Sequence, residues 1–480
     1  MSSDREEKIV SRRRFLLLAA AGFGSVALAA CGGSSSSTPS SSEAPAPADS
    51  AAEAPAEEAP AAEAPAAEPT PAVMGSGSQK ITFWHGLGGA DGATFQQMLT
   101  TYAGDTPDVT ISSEVFSDWN VFYQKLPTAT AAGTPPDLGI MHSWGILQFA
   151  TQGILQDVDT LFFDTKLLPK DDFNPTLIEA ISYEGKTQAI PFDNHGWINW
   201  VNTKVIQDAG LDPEKLPTNG TEFIEWAKKI VVDDNGKHPD EDGFNPDRVQ
   251  VWATHSAWLR FTIPSTIWQF GSDMFEGKTS LLNSEKTIAA VKYWEDLIFT
   301  HHVVPPAVPG VPSPGDLFKS NAIALMWDGT WNLNFFKDNP DANAVMKPMF
   351  INSLAPDGKQ SVRFDSHMLI VPTGVEGADL EAGSKLVKWL SDNGETWATS
   401  GQVPARLSVQ QSPAVQAIPS GAVAAEQFLK FGRPGQSHVA INEIITAYEA
   451  AFSASLSGTT PAEQALNEAH TQVQGILDRS

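Results

Sequence analysis

Cysteine is almost absent from this chain of 480 residues: there is one, Cys31. A single thiol excludes an intrachain disulfide, so an oxidising compartment would be tolerated but not exploited. Basic residues are scarce as well, with 31 lysines and arginines against 57 aspartates and glutamates and a net charge of −26. Nucleic-acid binding and tight contact with an anionic membrane both need a basic face, so the balance argues against either partner. Long apolar runs are missing. The stretch from Leu16 to Leu28 is about a dozen residues, short of the roughly 20 that a spanning helix needs. Catalytic signatures are missing too. There is no Gly-x-Ser-x-Gly elbow, and Gly271 to Gly277-Lys278-Thr279 carries one residue too many for a phosphate loop. His301-His302 precedes a proline run without further metal-ligand spacing and reads as a solvated loop. No cofactor and no metal are expected.

What is present begins with the N-terminus. A basic segment, Ser11-Arg12-Arg13-Arg14-Phe15-Leu16, is followed by the short apolar core and the small-residue exit Leu28-Ala29-Ala30-Cys31, the order of a secretory signal. Ser-Arg-Arg-x-Phe-Leu resembles the twin-arginine export signal, although Sec signals also tolerate arginine pairs. Leu-Ala-Ala-Cys resembles a bacterial lipobox, which implies lipidation of Cys31. Residues 31–74 hold seven acids and no base. From Ser34 to Pro71 the chain repeats Ala-Pro and Ala-Glu with almost no large apolar side chain, so it cannot offset the entropy of ordering. As an extended linker it reaches on the order of 120 Å. The expected order is a signal at 1–30, a disordered linker at 31–78 after lipidated Cys31, and a globular part outside the cytoplasm. That part would be tethered by lipid alone to the outer face of the cytoplasmic membrane.

The remaining 400 or so residues exceed one comfortable core and predict two lobes. Lys80 to Trp84, Val109 to Ile111 and Leu138 to Met141 read as strands. Between them lie a helix capped by Asp91, with Phe95, Met98, Leu99 and Tyr102 on one face, and a second helix from Asp118. Strand–helix alternation predicts an α/β lobe with a parallel sheet. Ligands of such sheets bind beyond the carboxyl ends of the strands, which places Trp84-His85 and His142-Ser143-Trp144 on one rim. Asn219 with Glu222 forms a capping pair ahead of Phe223, Trp226, Ala227 and Ile230. Further helices are expected from Glu285 through Leu297, over Ala422 to Phe431, Val439 to Leu456 and Pro461 to Leu477. Gly432, Pro434 and Gly435 read as a break between two of them.

Several segments, in order, resemble the extracellular solute-binding proteins of ABC importers, in particular the large sugar-binding family 1. They are Ile81-Thr82-Phe83-Trp84-His85-Gly86, Thr134-Pro135-Pro136-Asp137-Leu138, and Ile190-Pro191 to Trp200-Val201-Asn202-Thr203-Lys204. Ala209-Gly210-Leu211-Asp212-Pro213 with Leu216-Pro217-Thr218, Ala322 to Met326 with Gly329-Thr330-Trp331, and Pro404-Ala405-Arg406 complete the set. The resemblance implies a type II periplasmic-binding-protein-like α/β fold, with two lobes joined by crossings and the ligand in the cleft between them. Lobe 1 would hold 79–190 and the return at 363–405, lobe 2 would hold 191–362, and 406–480 would add C-terminal helices mainly to lobe 2. The implied partners are a small-molecule sugar and ABC permease subunits with their cytoplasmic ATPase. A monomer that captures its solute by lobe closure, not an enzyme, is expected.

A sugar site needs flat aromatics against C–H faces and convergent donors and acceptors for hydroxyls. The chain has fourteen tryptophans and only five tyrosines. The ligand-binding candidates are Trp84, His85, His142, Trp144, Asp193, His195, Trp197, Trp268, Asp328, Gly329, Trp331, Asp365, His367 and Arg406, with Trp252 a weaker addition. Trp226, Trp294 and Trp389 follow helical periodicity and belong to the core. Two other readings stay open. The opening Phe83-Trp84-His85 also resembles glycerol-3-phosphate and glycerophosphodiester binders of the same family, for which Arg363 and Arg406 would supply the cations. A secreted glycoside hydrolase would draw a carboxylate pair from Asp193, Asp328 and Asp365.

Overall fold

A computed structural model describes residues 71–88 and 90–480. The signal, Cys31 and the linker as far as Thr70 lie outside the described residues. Along the chain the elements that position the site are strands β1 (Ala72–Gly75), β2 (Gln79–His85), β3 (Val109–Val115), β4 (Leu138–His142), β5 (Ile190–Pro191), β6 (Asp193–Asn202), β7 (Leu325–Gly329), β8 (Met346–Met349), β9 (Val362–Asp365), β10 (His367–Ile370), β11 (Val403–Pro404) and β12 (Gly432–Pro434). The helices are α1 (Ala90–Asp105), α2 (Trp119–Ala131), α3 (Gly220–Ile230), α4 (Leu259–Gln269), α5 (Glu285–Phe299), α6 (Gly377–Asp392), α7 (Gly394–Ala398), α8 (Pro419–Phe431), α9 (Ile441–Leu456) and α10 (Ala462–Arg479).

The first sheet has the order β1-β3-β2-β4-β10-β5. Its centre, β3-β2-β4, is parallel as the strand–helix alternation requires. Its margins are antiparallel, which the sequence pattern did not show. β1 pairs with β3, and β10 pairs with both β4 and β5. The strand β10 returns from far along the chain, so no local crossover helix forces it parallel. The expected linker therefore ends earlier than residue 78. Ala72 to Gly75 pair with β3, because the open edge of that strand offers unpaired N–H and C=O groups to any adjacent extended chain. Phe95, Met98, Leu99 and Tyr102 of α1 are all buried against this sheet, at the spacing of one helical face.

The second sheet is built around β6. All ten of its residues are buried. It pairs antiparallel with β7, β8, β9 and β11, and β9 in turn pairs parallel with β12. Gly432 to Pro434, read as a break, thus form a strand. Proline is tolerated there because β12 is the outer strand of this path. Helices α9 and α10 pack on each other and on α5, extending the core under this sheet. At α3, Asn219 accepts from the Glu222 N–H at 3.0 Å, but the Glu222 carboxylate reaches back to the N–H and hydroxyl of Thr218 and not to Asn219. Thr218 offers two donors to one carboxylate oxygen, where Asn219 would offer one.

The chain passes between the sheets at Phe192, which separates β5 from β6, and at Ser366, which separates β9 from β10. Both passages are stitched together. The Phe192 N–H donates to the His367 carbonyl at 2.8 Å, the Ser143 N–H donates to the Ser366 carbonyl at 2.9 Å, and the Ser366 hydroxyl donates to the Asp193 carbonyl. Among the described residues no helix is long and apolar enough to cross a membrane.

Candidate functional site

Strand periodicity puts Asp193, His195 and Trp197 of β6 on one face. Asp193 is fully buried and is the hub of the region between the sheets. Its carboxylate accepts from His195 Nδ1 at 3.0 Å, from His367 Nδ1 at 2.7 Å, from the His367 N–H at 3.1 Å and from Trp397 Nε1 at 2.8 Å. Burial alone would raise this carboxyl group. The charge of His367 and the bonds from both imidazoles outweigh it and hold Asp193 ionised, below the usual carboxylate range. Burial would likewise lower His367, but the Asp193 carboxylate raises it. His195 is lowered, first by burial and then by the charge of His367.

His142, at the end of β4, joins them. Its Nδ1 lies 2.7 Å from the Tyr123 hydroxyl, and burial followed by the charges of His367 and His195 pulls it well below the usual range. One ring nitrogen from each of His142, His195 and His367 lies within 4.8 Å of the other two. A second buried pair stands beside the three rings. Arg363 donates to Asp365 at 2.9 Å and packs over the Phe261 ring at 4.6 Å, while the Ser143 hydroxyl donates to Asp365 at 2.7 Å.

Above this floor is a cavity of about 240 Å³. His142 and His367 open onto it from below, and Trp119 and Trp331 form walls from the two sides. Trp119 stands edge-on to His142 at 4.4 Å and is stacked with His367 at 6.0 Å. Trp331 is edge-on to His195, Trp197 and Trp258. Each of the two walls needs a glycine. A Cβ on Gly86 would meet the Trp119 indole at 2.4 Å, and one on Gly329 would meet the Trp331 indole at 2.3 Å. Trp258 stands at the mouth, 51% exposed, with a left-handed backbone (φ 48°) that is unfavourable for a bulky residue. Asp91 and Arg260 complete the polar lining. Arg260 also lines a more open groove of about 1110 Å³, together with Trp144, Asn120, Gln124, Gln148, Asn442 and Glu449. The Asn442 amide donates to Gln148 across it at 3.0 Å.

Of the residues singled out from sequence, His142, Trp331 and His367 line the cavity and Trp144 lines the groove. Gly329, Asp193, His195, Trp197 and Asp365 lie directly behind them. Trp197 stacks on Phe261 at 4.8 Å and donates to Thr262, so its indole supports the wall and does not face the cavity. His85 is buried and held neutral, lowered to about 3 by burial and then by the charge of His367. Its Nδ1 accepts from the Leu87 N–H at 3.2 Å, so it shapes the loop that lines the cavity without reaching it. Trp84 points to the other face of β2, against Phe116 and Lys125.

The remaining candidates are placed elsewhere. Trp268 is buried beneath Arg433 and donates to Asp273. Arg406 is spent on Asp172 and Asp392, each at 2.7 Å, and Arg363 on Asp365. Neither arginine is free to neutralise a phosphate, because each is already matched by a carboxylate, Arg363 in a buried site and Arg406 in a half-buried one. Asp328 bonds the Gly329 N–H and is raised to about 7 by burial. Asp193, Asp328 and Asp365 thus all point into protein and not into the cavity. Trp252 lies on the second-sheet side, half-buried, its backbone bonded to Ala322 and Ala324. Trp226 and Trp294 are buried and Trp389 half-buried, packed with Tyr102.

Sequence reasoning missed Trp119, Trp258, Arg260 and the lining role of Asp91, whose carboxylate accepts from Gln402 at 3.0 Å and does not cap α1. A signal existed for Trp119, which sits between Asp118 and Asn120 in the same tryptophan-beside-polar pattern used for the others. Trp258 lies between Ala257 and Leu259 and carries no such signal.

The family model of bacterial extracellular solute-binding proteins matches residues 88–397. A maltotriose-binding protein of Pyrococcus abyssi is 25% identical over 352 residues, covering 72% of this chain and 70% of its own. Among solved structures, maltose-bound MalE3 of T. maritima superposes with a TM-score of 0.70 at 20% identity, over 83% of this chain and all (100%) of the other. The cyclic alpha-maltosyl-1,6-maltose binding protein of Arthrobacter globiformis gives 0.64 at 23% identity, over 84% and 99%. These likenesses show the fold: two sheet-bearing α/β lobes of the type II periplasmic-binding kind.

Proposed function

Because the chain belongs to the bacterial extracellular solute-binding proteins, we propose that it captures a carbohydrate, from mono- to oligosaccharide, for an ABC importer. One observation carries this reading: two indoles, Trp119 after β3 and Trp331 after β7, face a common cavity from opposite sheets. Indole faces suit the C–H surface of a sugar ring. Asp91, Arg260 and the amides of the adjoining groove supply donors and acceptors for its hydroxyls. In support, a relative is named for maltotriose and solved neighbours were determined with maltose and mannotriose.

In this reading lobe 1 comprises β1 to β5 with β10, α6 and α7, and lobe 2 comprises the sheet around β6 with α9 and α10. Solute that touches both lobes stabilises their closure, and the closed surface is what a permease recognises. The protein performs no chemistry. Lipid on Cys31 and the acidic linker keep it near the outer face of the membrane.

Thermal-shift measurements of the purified globular part test the proposal. Maltose, maltotriose and mannobiose form one arm; glycerol-3-phosphate and a glycerophosphodiester form the other. A concentration-dependent rise in Tm with at least one sugar is the expected result, and no rise with any sugar overturns it. A specific observation favours the second arm as the alternative: Arg260 lines the cavity with no carboxylate partner among the described residues. A shift confined to the phosphates would assign that solute class instead.

A further inference from the structure

We propose that His142, His195 and His367 bind one divalent late first-row transition-metal ion, of which Zn²⁺ is the type, at the floor of the cavity. The three residues come from β4, β6 and β10, and one nitrogen of each lies within 4.8 Å of the other two. The hydrogen bonds decide which nitrogen. Nδ1 of His195 and Nδ1 of His367 both donate to the Asp193 carboxylate, and the Tyr123 hydroxyl oxygen, which accepts the His142 backbone N–H at 3.1 Å, accepts the Nδ1–H of His142 as well when that ring serves as a ligand. Nε2 is therefore the ligand nitrogen of each ring. A carboxylate behind an imidazole is the arrangement that fixes the tautomer and strengthens the ligand in metal sites. Here one carboxylate serves two rings.

The donor set selects the ion. Three imidazoles without carboxylate oxygen in the set exclude Mg²⁺ and Ca²⁺, which take oxygen ligands. Zn²⁺ with three histidines keeps a fourth position open. Tetrahedral Zn–N bonds of about 2.0–2.1 Å place the nitrogens about 3.4 Å apart, so the rings need to close by up to about 1.4 Å. The local charge favours a cation. With His367 neutral as a ligand, Asp193 and Asp91 outnumber Arg260 once Arg363 is matched by Asp365. His142 and His367 line the cavity, so the open position faces it. If the cavity holds the solute, as proposed above, an oxygen of that solute occupies the fourth position; the ion site itself does not depend on that reading.

The test uses the chelator-treated globular part and the ion alone, without solute. Titration calorimetry with Zn²⁺ is expected to show one ion per chain, and Co²⁺ to give the visible absorption of a four-coordinate site. His142→Gln and His195→Gln are each expected to weaken Zn²⁺ at least 100-fold. Circular dichroism checks their fold, and Asp193→Asn is expected to weaken binding by about 10–100-fold. The pair His301→Ala and His302→Ala, half-buried and outside the cavity lining, is the control and is expected to leave Zn²⁺ affinity unchanged. Absence of a stoichiometric site, a six-coordinate Co²⁺ spectrum, or retention of full affinity in folded His142→Gln overturns the proposal. Failure of the sugar screen would leave this result standing, and the reverse also holds.

Discussion

His367 Nδ1 donates to Asp193 Oδ2 at 2.7 Å and so locks together the two places where the chain passes between its sheets. Asp193 begins β6 and His367 begins β10, and each follows a single residue that belongs to neither sheet. The pair is buried and shares the carboxylate with His195 and Trp397. Breaking it removes the side-chain link between β6 and β10 and leaves the backbone bonds of the two passages in place.

Asp193→Ala leaves two imidazoles and an indole N–H without their acceptor. Loss of one partner of a buried ion pair costs about 3–5 kcal/mol. Urea unfolding is expected to show a loss of that size, with solute affinity falling in parallel. A variant as stable as the parent would remove Asp193 from its place as the hub.

Trp331→Ala removes one wall of the cavity and leaves the other, Trp119, intact. Solute affinity is expected to drop tenfold or more, about 1.4 kcal/mol for each factor of ten. Calorimetric titration with the most stabilising sugar measures it. Trp268→Phe, remote from the cavity, is expected to leave the affinity unchanged.

Burial pushes the Asp328 carboxyl up to about 7, from an ordinary value of 3.8, so the folded chain holds its proton below that pH. Between these values the folded state binds the extra proton, so this group's contribution to stability falls as pH rises. Asp328→Asn keeps an acceptor for the Gly329 N–H and cannot ionise. The difference in unfolding free energy, variant minus parent, is expected to grow by on the order of 4 kcal/mol between pH 4 and pH 8. Denaturation curves across that range read it directly, and parallel pH profiles would show that Asp328 ionises freely.

Arg406 ties Asp172 to Asp392. Arg406→Gln is expected to lower stability by about 1.5 kcal/mol, the low end for hydrogen bonds to charged groups because Asp392 is solvent-exposed, with solute affinity unaltered. A selective loss of affinity in a fully stable variant would return Arg406 to the binding site.

Cys31→Ser is expected to release the protein from the membrane fraction while leaving solute binding as it was. Fractionation of expressing cells followed by a thermal-shift assay checks both halves. Continued membrane retention would exclude the lipid anchor.

Much of the local structure was legible because its cause is local. Phe95, Met98, Leu99 and Tyr102 announce α1 by spacing, and Asn219 announces α3 by its cap. The run Ile190 to Asn202 and the segment Gly329-Thr330-Trp331 were legible only through their resemblance to the family, because polar residues such as Asp193, Asn194 and Asn199 interrupt any local pattern. The parallel centre of the first sheet follows from strand–helix alternation. Its antiparallel margins do not, because β1 and β10 reach it from outside that alternation. The same holds for the site. Trp119 carries no spacing that separates it from other polar-flanked aromatics, Trp258 lies between two apolar residues, and Arg260 and Arg406 read alike as free cations until Asp172 and Asp392 are placed beside Arg406.

By itself the sequence determined the composition from which the protein is made: strong acidity, no disulfide, an apolar pattern sufficient for two α/β lobes, and tryptophans beside polar residues. Only the tertiary structure decided which of those residues meet. His142, His195 and His367 are far apart in the chain, and each has an ordinary histidine's neighbours. Their convergence follows from pairings between β4 and β10 and between β6 and β9, which depend on packing across the whole chain and leave no periodic trace in any one segment.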